Sequence, residues 1–160
     1  MKKYFKLLTF LFFSILGESN LLGVHHAIFD AIKAGNLEFV RFLVSLNPSC
    51  IDEKDEKFFL PLQRACERVD LFTIAEFLLE KGSIITSSVL FACNKPIREL
   101  NETIGYYEKS PGVLDPESPD ARIACDIKMT ELRQKLISWQ RLSSNVKYQL
   151  HQAGELDGYY

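Results

Sequence analysis

Few residues in this 160-residue chain have the types and spacing that chemistry requires. The three His are His25, His26 and His151. His25-His26 stands ahead of an amphipathic stretch and is expected to help start a helix, not to bind a ligand or move protons. Four Cys, at Cys50, Cys66, Cys93 and Cys125, are separated by 16, 27 and 32 residues. These spacings contain no Cys-x-x-Cys pair and match no zinc pattern. Each thiol is expected to be a small buried apolar group. The chain has no Gly-rich phosphate loop, Gly-x-Ser-x-Gly or His-Glu-x-x-His motif. No enzyme activity, cofactor, metal or small-molecule substrate is expected. One cluster remains. Asp52-Glu53-Lys54-Asp55-Glu56-Lys57 alternates in charge and runs into Phe58; by itself such a run reads as a solvated loop.

The composition limits what can position that cluster. A chain with 47% hydrophobic and 25% charged residues reads as one globular domain with appendages. A net charge of -2 and a pI near 5.9 argue against nucleic-acid binding by bulk charge. Aromatic residues are distributed unevenly. Four of the twelve Phe fall within the first thirteen residues, eight lie from Phe29 to Phe91, and none follows. The chain divides accordingly into three zones.

The first zone is a leader. Lys2, Lys3 and Lys6 precede an uncharged run from Leu7 to Leu16, the arrangement of a secretory signal peptide. The run is about half the roughly twenty residues needed to span a bilayer as a helix. Gly17-Glu18-Ser19 places small residues at the first and third positions before a cut at Asn20. Residues 1–19 are therefore expected to be a signal peptide. The cleaved product, exported to a periplasm or secreted, loses three Lys and one Glu and carries -4. The alternative is a membrane-peripheral structural protein that keeps this segment as an anchor, with membrane contact only in that case.

In the middle zone, two stretches align. His26-Ala27-Ile28-Phe29 opens the first and Leu60-Pro61-Leu62-Gln63 the second, 34 residues later. Each continues through a short helix with a central small residue (Ala31, Ala65) to a turn at Gly35-Asn36 or Val69-Asp70. Each then enters a second helix with an apolar stripe, Leu37, Val40, Leu43, Val44 or Leu71, Ile74, Phe77, Leu78. Gly82 stands where a left-handed C-cap is expected. A truncated third copy starts at Ser88-Val89-Leu90-Phe91-Ala92-Cys93. Its second helix is expected over Ile97 to Tyr107, after Pro96.

The period, the Leu60-Pro61-Leu62-Gln63 block and Gly35-Asn36-Leu37-Glu38-Phe39-Val40 together resemble the ankyrin-repeat family. The resemblance covers roughly residues 24–107. Tetratricopeptide repeats share the period, but their Trp and Tyr landmarks are missing from residues 24–91; a plain helical bundle is the other alternative. Ankyrin-like repeats over 20–107 imply an all-α, short solenoid in which stacked neighbours bury what one pair cannot. Small side chains at Ala31, Ala65 and Ala92 are expected to permit close stacking, with the Phe residues filling the space between copies. Adjacent helices at about 8–10 Å would hold Cys66 and Cys93 too far apart to bridge, since a disulfide needs Cα atoms within about 7 Å. The resemblance also places the charge run in a hairpin finger between the first two copies. It implies a protein-protein interaction module that binds a partner through a concave face and its fingers. Asp52, Glu53, Asp55, Glu56 and Phe58 are the candidate partner-binding residues, and their acidity points to a basic or mixed-charge protein of unknown identity.

The third zone opens with a Pro-containing linker over 108–118 that carries Pro111 and Pro116. Ser118-Pro119-Asp120 then reads as an N-cap, a first-turn Pro and an acid at the positive helix end. Ile123, Ile127, Leu132, Leu136, Trp139, Leu142, Val146 and Leu150 recur at spacings of mostly three or four. They predict a long C-terminal helix over 119–152, weakest at Ser143-Ser144-Asn145, with a tail over 153–160. That helix is expected either to cap the repeats or to bind a partner.

Overall fold

The computed structural model describes residues 21–109 and 119–154. The leader over 1–19, residues 110–118 of the linker and the tail from 155 onward lie outside the described residues. The described chain is all-α, with no strand. Its helices are α1 (Leu21–Lys33), α2 (Leu37–Leu46), α3 (Pro61–Ala65), α4 (Phe72–Glu80), α5 (Ser87–Lys109) and α6 (Pro119–Gln152). Short 3-10 turns at Pro48–Ile51 and Val69–Leu71 precede the finger and α4 respectively.

The connections follow from local chemistry. At the end of α1 the Gly35 N–H donates to the Ile32 carbonyl and the Asn36 N–H to that of Ala31, both at 2.9 Å. This 5→2 and 6→1 pair needs a left-handed residue between helices, and Gly35 supplies it with φ +69°. Asn36 then caps α2, its side chain accepting from the Phe39 N–H at 3.0 Å. The same pair of bonds recurs at the end of α4, through Gly82 and Ser83. Gly82 has φ +83° there, so its predicted cap conformation is the one found.

Packing joins these pieces. α1 touches α2 and α3, α3 touches α4 and α5, and α5 pairs along α6; α2 touches α4, and α4 touches α6. Ala31, Ala65 and Ala92 are buried at these approaches. The core between them is mainly aliphatic: Ile28, Ile32, Val40, Leu43, Leu62, Leu71, Ile74, Leu78 and Val89. α6 contributes Leu132, Trp139, Leu142, Val146 and Leu150 to the same core.

Four expectations are corrected. First, the Phe residues fill the core only in part. Of the eight central Phe only Phe77 is buried, while Phe39, Phe42, Phe58 and Phe91 are exposed. Phe29 and Phe72 are half-buried against the core, which is otherwise filled mainly by Leu, Ile and Val. Second, the third copy has no second helix of its own. Residues 97–107 continue α5 without a break, with Pro96 buried inside it, and α6 supplies the helix that packs on α5. The burial of Pro96, Leu100 and Ile104 along one face outweighs the single backbone bond that Pro removes. Third, Glu108 and Lys109 belong to α5, so the linker begins later than Glu108. Fourth, His25 and His26 lie within α1 and do not precede it. The suspected weak point in α6 is continuous helix, where the Ser143 hydroxyl donates to the Asn94 side-chain oxygen at 3.1 Å.

Candidate functional site

The charge run folds into a closed finger between the Pro48–Ile51 turn and α3. The Phe58 N–H donates to the Asp55 carbonyl at 2.9 Å and the Asp55 N–H to the Phe59 carbonyl at 3.0 Å. Asp55 also holds the loop through its side chain, where Oδ1 accepts from the N–H of Lys57 at 2.8 Å and of Phe59 at 2.9 Å. This is the bonding of a three-residue hairpin loop, whose closing residue is left-handed and usually Gly. Phe58 occupies that place with φ +63°, the one non-Gly residue at positive φ among the described residues. A bulky side chain there costs about 1–2 kcal/mol. It is also 79% exposed. Local strain combined with an exposed ring is the pattern of a side chain held out for use.

Arg64 on α3 anchors the finger from below. Its Nε and Nη2 reach Asp55 Oδ2 at 2.8 and 2.6 Å, and its Nη1 reaches Glu67 Oε2 at 3.1 Å. The guanidinium also lies 4.1 Å from the centre of the Phe59 ring, a further attraction. Partial burial pushes the Asp55 carboxyl up, but the bonds from the Phe59 N–H, Arg64 and the Lys57 N–H outweigh it and hold it below the usual 3.8. Asp55 therefore stays charged at neutral pH.

The predicted partner-binding residues separate into two groups. Asp55 is turned inward onto Arg64. Asp52 accepts from the Ile84 N–H at 2.7 Å and ties the finger base to the chain after α4. Glu53 is half-buried, whereas Glu56 and Phe58 are exposed. Of the five, only Glu56 and Phe58 stand clear at the tip, beside exposed Lys54 and Lys57. The outward charge of the finger is therefore mixed.

Behind the finger, a groove of about 390 Å³ runs between α1 and α3, lined among others by Asp30, Lys33, Lys57, Arg64, Glu67 and Arg68. Arg68 closes one side, its Nη1 donating to the Lys33 carbonyl at the end of α1 at 2.8 Å while its Nε binds Asp70. Neither Arg64 nor Arg68 was singled out from sequence. A salt bridge spanning nine residues across a loop has no periodic signal, and only the closed turn brings Asp55 over α3.

Among the described residues no group of three or more His, Cys, Asp or Glu is placed to hold a metal ion. Among them, too, no helix is long and apolar enough to cross a membrane. No family model, curated protein or solved structure matches the chain.

Proposed function

We propose that the chain is a protein-protein interaction module of ankyrin-repeat type, exported, that binds a partner through its finger and the concave face formed by α1, α3 and α5. The order of contacts supports the solenoid. α1, α3 and α5 follow one another, as do α2, α4 and α6, with small residues buried at each step of the first series. In this reading α6 takes the place of the third copy's outer helix. Export rests on the Lys-flanked apolar run before Asn20, and a native N-terminus at Asn20, read by mass spectrometry, is the expected outcome.

One observation carries the binding site: Phe58, exposed and left-handed, on a finger fixed by Asp55 and Arg64. A rigid aromatic tip loses little entropy on docking, and such residues commonly anchor interfaces. The partner is a protein with an apolar pocket for the ring, rimmed by charges of both signs to meet Lys54, Glu56 and Lys57. Affinity capture with the full chain tests this. Proteins retained by the native chain and by Tyr148→Ser, a change at an exposed position on α6, should be lost with Phe58→Ser. Equal retention by all three would overturn the assignment.

A further inference from the structure

The α3–α5 contact contains a second feature that the binding site does not use. Cys66 ends α3 and Cys93 lies in the second turn of α5; both are fully buried. The Cys93 thiol donates to the Cys66 sulfur with the two sulfurs 2.9 Å apart. Both thiols are free, as expected, but the spacing of adjacent helices does not keep the sulfurs out of contact. Small residues at Ala65 and Ala92 allow the approach, and the two side chains point at each other across it.

We infer that Cys66 and Cys93 are a dithiol that closes to an intrachain disulfide when the chain meets an exchangeable disulfide. A bond length of about 2.05 Å requires the sulfurs to close by about 0.9 Å. The other two thiols differ in setting. Cys50 is buried with its pKa pushed up to about 11, chiefly by burial and then by Glu53. Cys125 is half-buried on α6.

The reaction balances with oxidised glutathione as acceptor. One protein thiolate attacks its disulfide, forming a mixed disulfide and releasing one glutathione thiolate. The second protein thiolate then attacks the protein sulfur of that mixed disulfide and releases the other. Two protein thiols become one disulfide, and the two protons end on two glutathione thiols. The setting determines when this happens. The hydrogen bond from Cys93 and then burial push the Cys66 thiol well above its usual value of 9, and neither sulfur is open to solvent. The pair is thus a poor rapid sensor. It oxidises during folding or in transiently opened chains and afterwards links α3 to α5 across the 27-residue separation.

Peptide mapping of the full chain tests this. The purified protein is equilibrated with excess oxidised glutathione, denatured in acid, alkylated and digested. The expected product is a cross-linked peptide pair joining Cys66 to Cys93, with Cys50 and Cys125 alkylated. Oxidation should raise Tm by about 10 °C, and low urea should accelerate it. Cys93→Ala, with helicity checked by circular dichroism, should lose the Tm rise. Should that variant fail to fold, Cys50→Ala/Cys125→Ala still carries the pair and must give the same cross-link. Four alkylated cysteines, or cross-links divided among all four, would overturn the inference.

Discussion

The indole N–H of Trp139 donates to the backbone carbonyl of Val69 at 3.1 Å, joining the middle of α6 to the turn that opens α4. The ring is fully buried and meets Phe72 edge-on, with centres 5.5 Å apart. The long helix is therefore locked into the core by a hydrogen bond as well as by area. Trp139→Ala should destabilise the protein by about 3–5 kcal/mol. Trp139→Phe keeps most of the packing but strands the Val69 carbonyl, and should cost about 1–3 kcal/mol. Urea denaturation at equilibrium checks both. Trp139 is the single Trp, so fluorescence of the native chain reports α6 docking directly, blue-shifted when folded and red-shifted on release.

Removing α6 altogether should have a larger effect. Truncation after Tyr107 takes Leu132, Trp139, Leu142, Val146 and Leu150 from the core and uncovers the α6-facing side of α5. The expected product unfolds without a sharp transition, binds hydrophobic dyes and aggregates. A monomeric 20–107 fragment with a cooperative transition would mean that α6 packs without being needed.

The Asp55–Arg64 anchor predicts a dependence on pH. The Asp55 carboxyl is held below 3.8 in the folded chain, so the unfolded chain takes up its proton first as pH falls. The stabilisation is fully present above about 3.8 and is lost as pH falls through the lower folded value. Asp55→Ala should cost about 1–3 kcal/mol at neutral pH. Asp55→Asn should recover part of that, because its side-chain oxygen still accepts from the loop. Urea midpoints measured from neutral pH down to about 2.5 should show the native chain converging on Asp55→Asn. A gap unchanged over that range would remove Asp55 from the account.

The role proposed for Phe58 sets stability against binding. Phe58→Gly relieves a positive φ and gives up little burial, so it should stabilise the finger by about 0.5–1 kcal/mol. The same variant should bind the partner less tightly. Thermal unfolding and a binding titration, read together, separate the two effects. A destabilised Phe58→Gly would show that the ring packs on the finger instead of projecting from it.

Much of the helical order was legible because it rests on local rules. Gly35-Asn36 and Gly82 mark where helices stop, Pro119 marks where α6 begins, and the apolar stripes of α2 and α4 are buried nearly residue for residue. Partners and neighbours were less legible. Pro96 suggested a break, but burial on one face of α5 carries the helix through it. The Phe residues suggested core, but Phe39, Phe42, Phe58 and Phe91 are exposed. Asp52 and Asp55 looked like an outward acidic patch; both turn inward, to the Ile84 N–H and to Arg64. Ile123 and Ile127 continued the α6 seam in sequence, yet both are exposed, while from Leu132 onward the seam is buried except for half-buried Leu136. Each of these depends on contacts between separate elements, which periodicity does not encode.

The bond between Trp139 and Val69 spans 70 residues, and this has a consequence for synthesis. Translation delivers the chain from its N-terminus at roughly 5–20 residues per second. α1 to α5 are therefore synthesised some seconds before Leu150, the last core residue among the described residues. Until α6 is made, the α4 and α5 surfaces that it covers have no partner within the chain. Completion of the core therefore waits for α6, and a chain interrupted before Trp139 leaves the α6-facing sides of α4 and α5 uncovered.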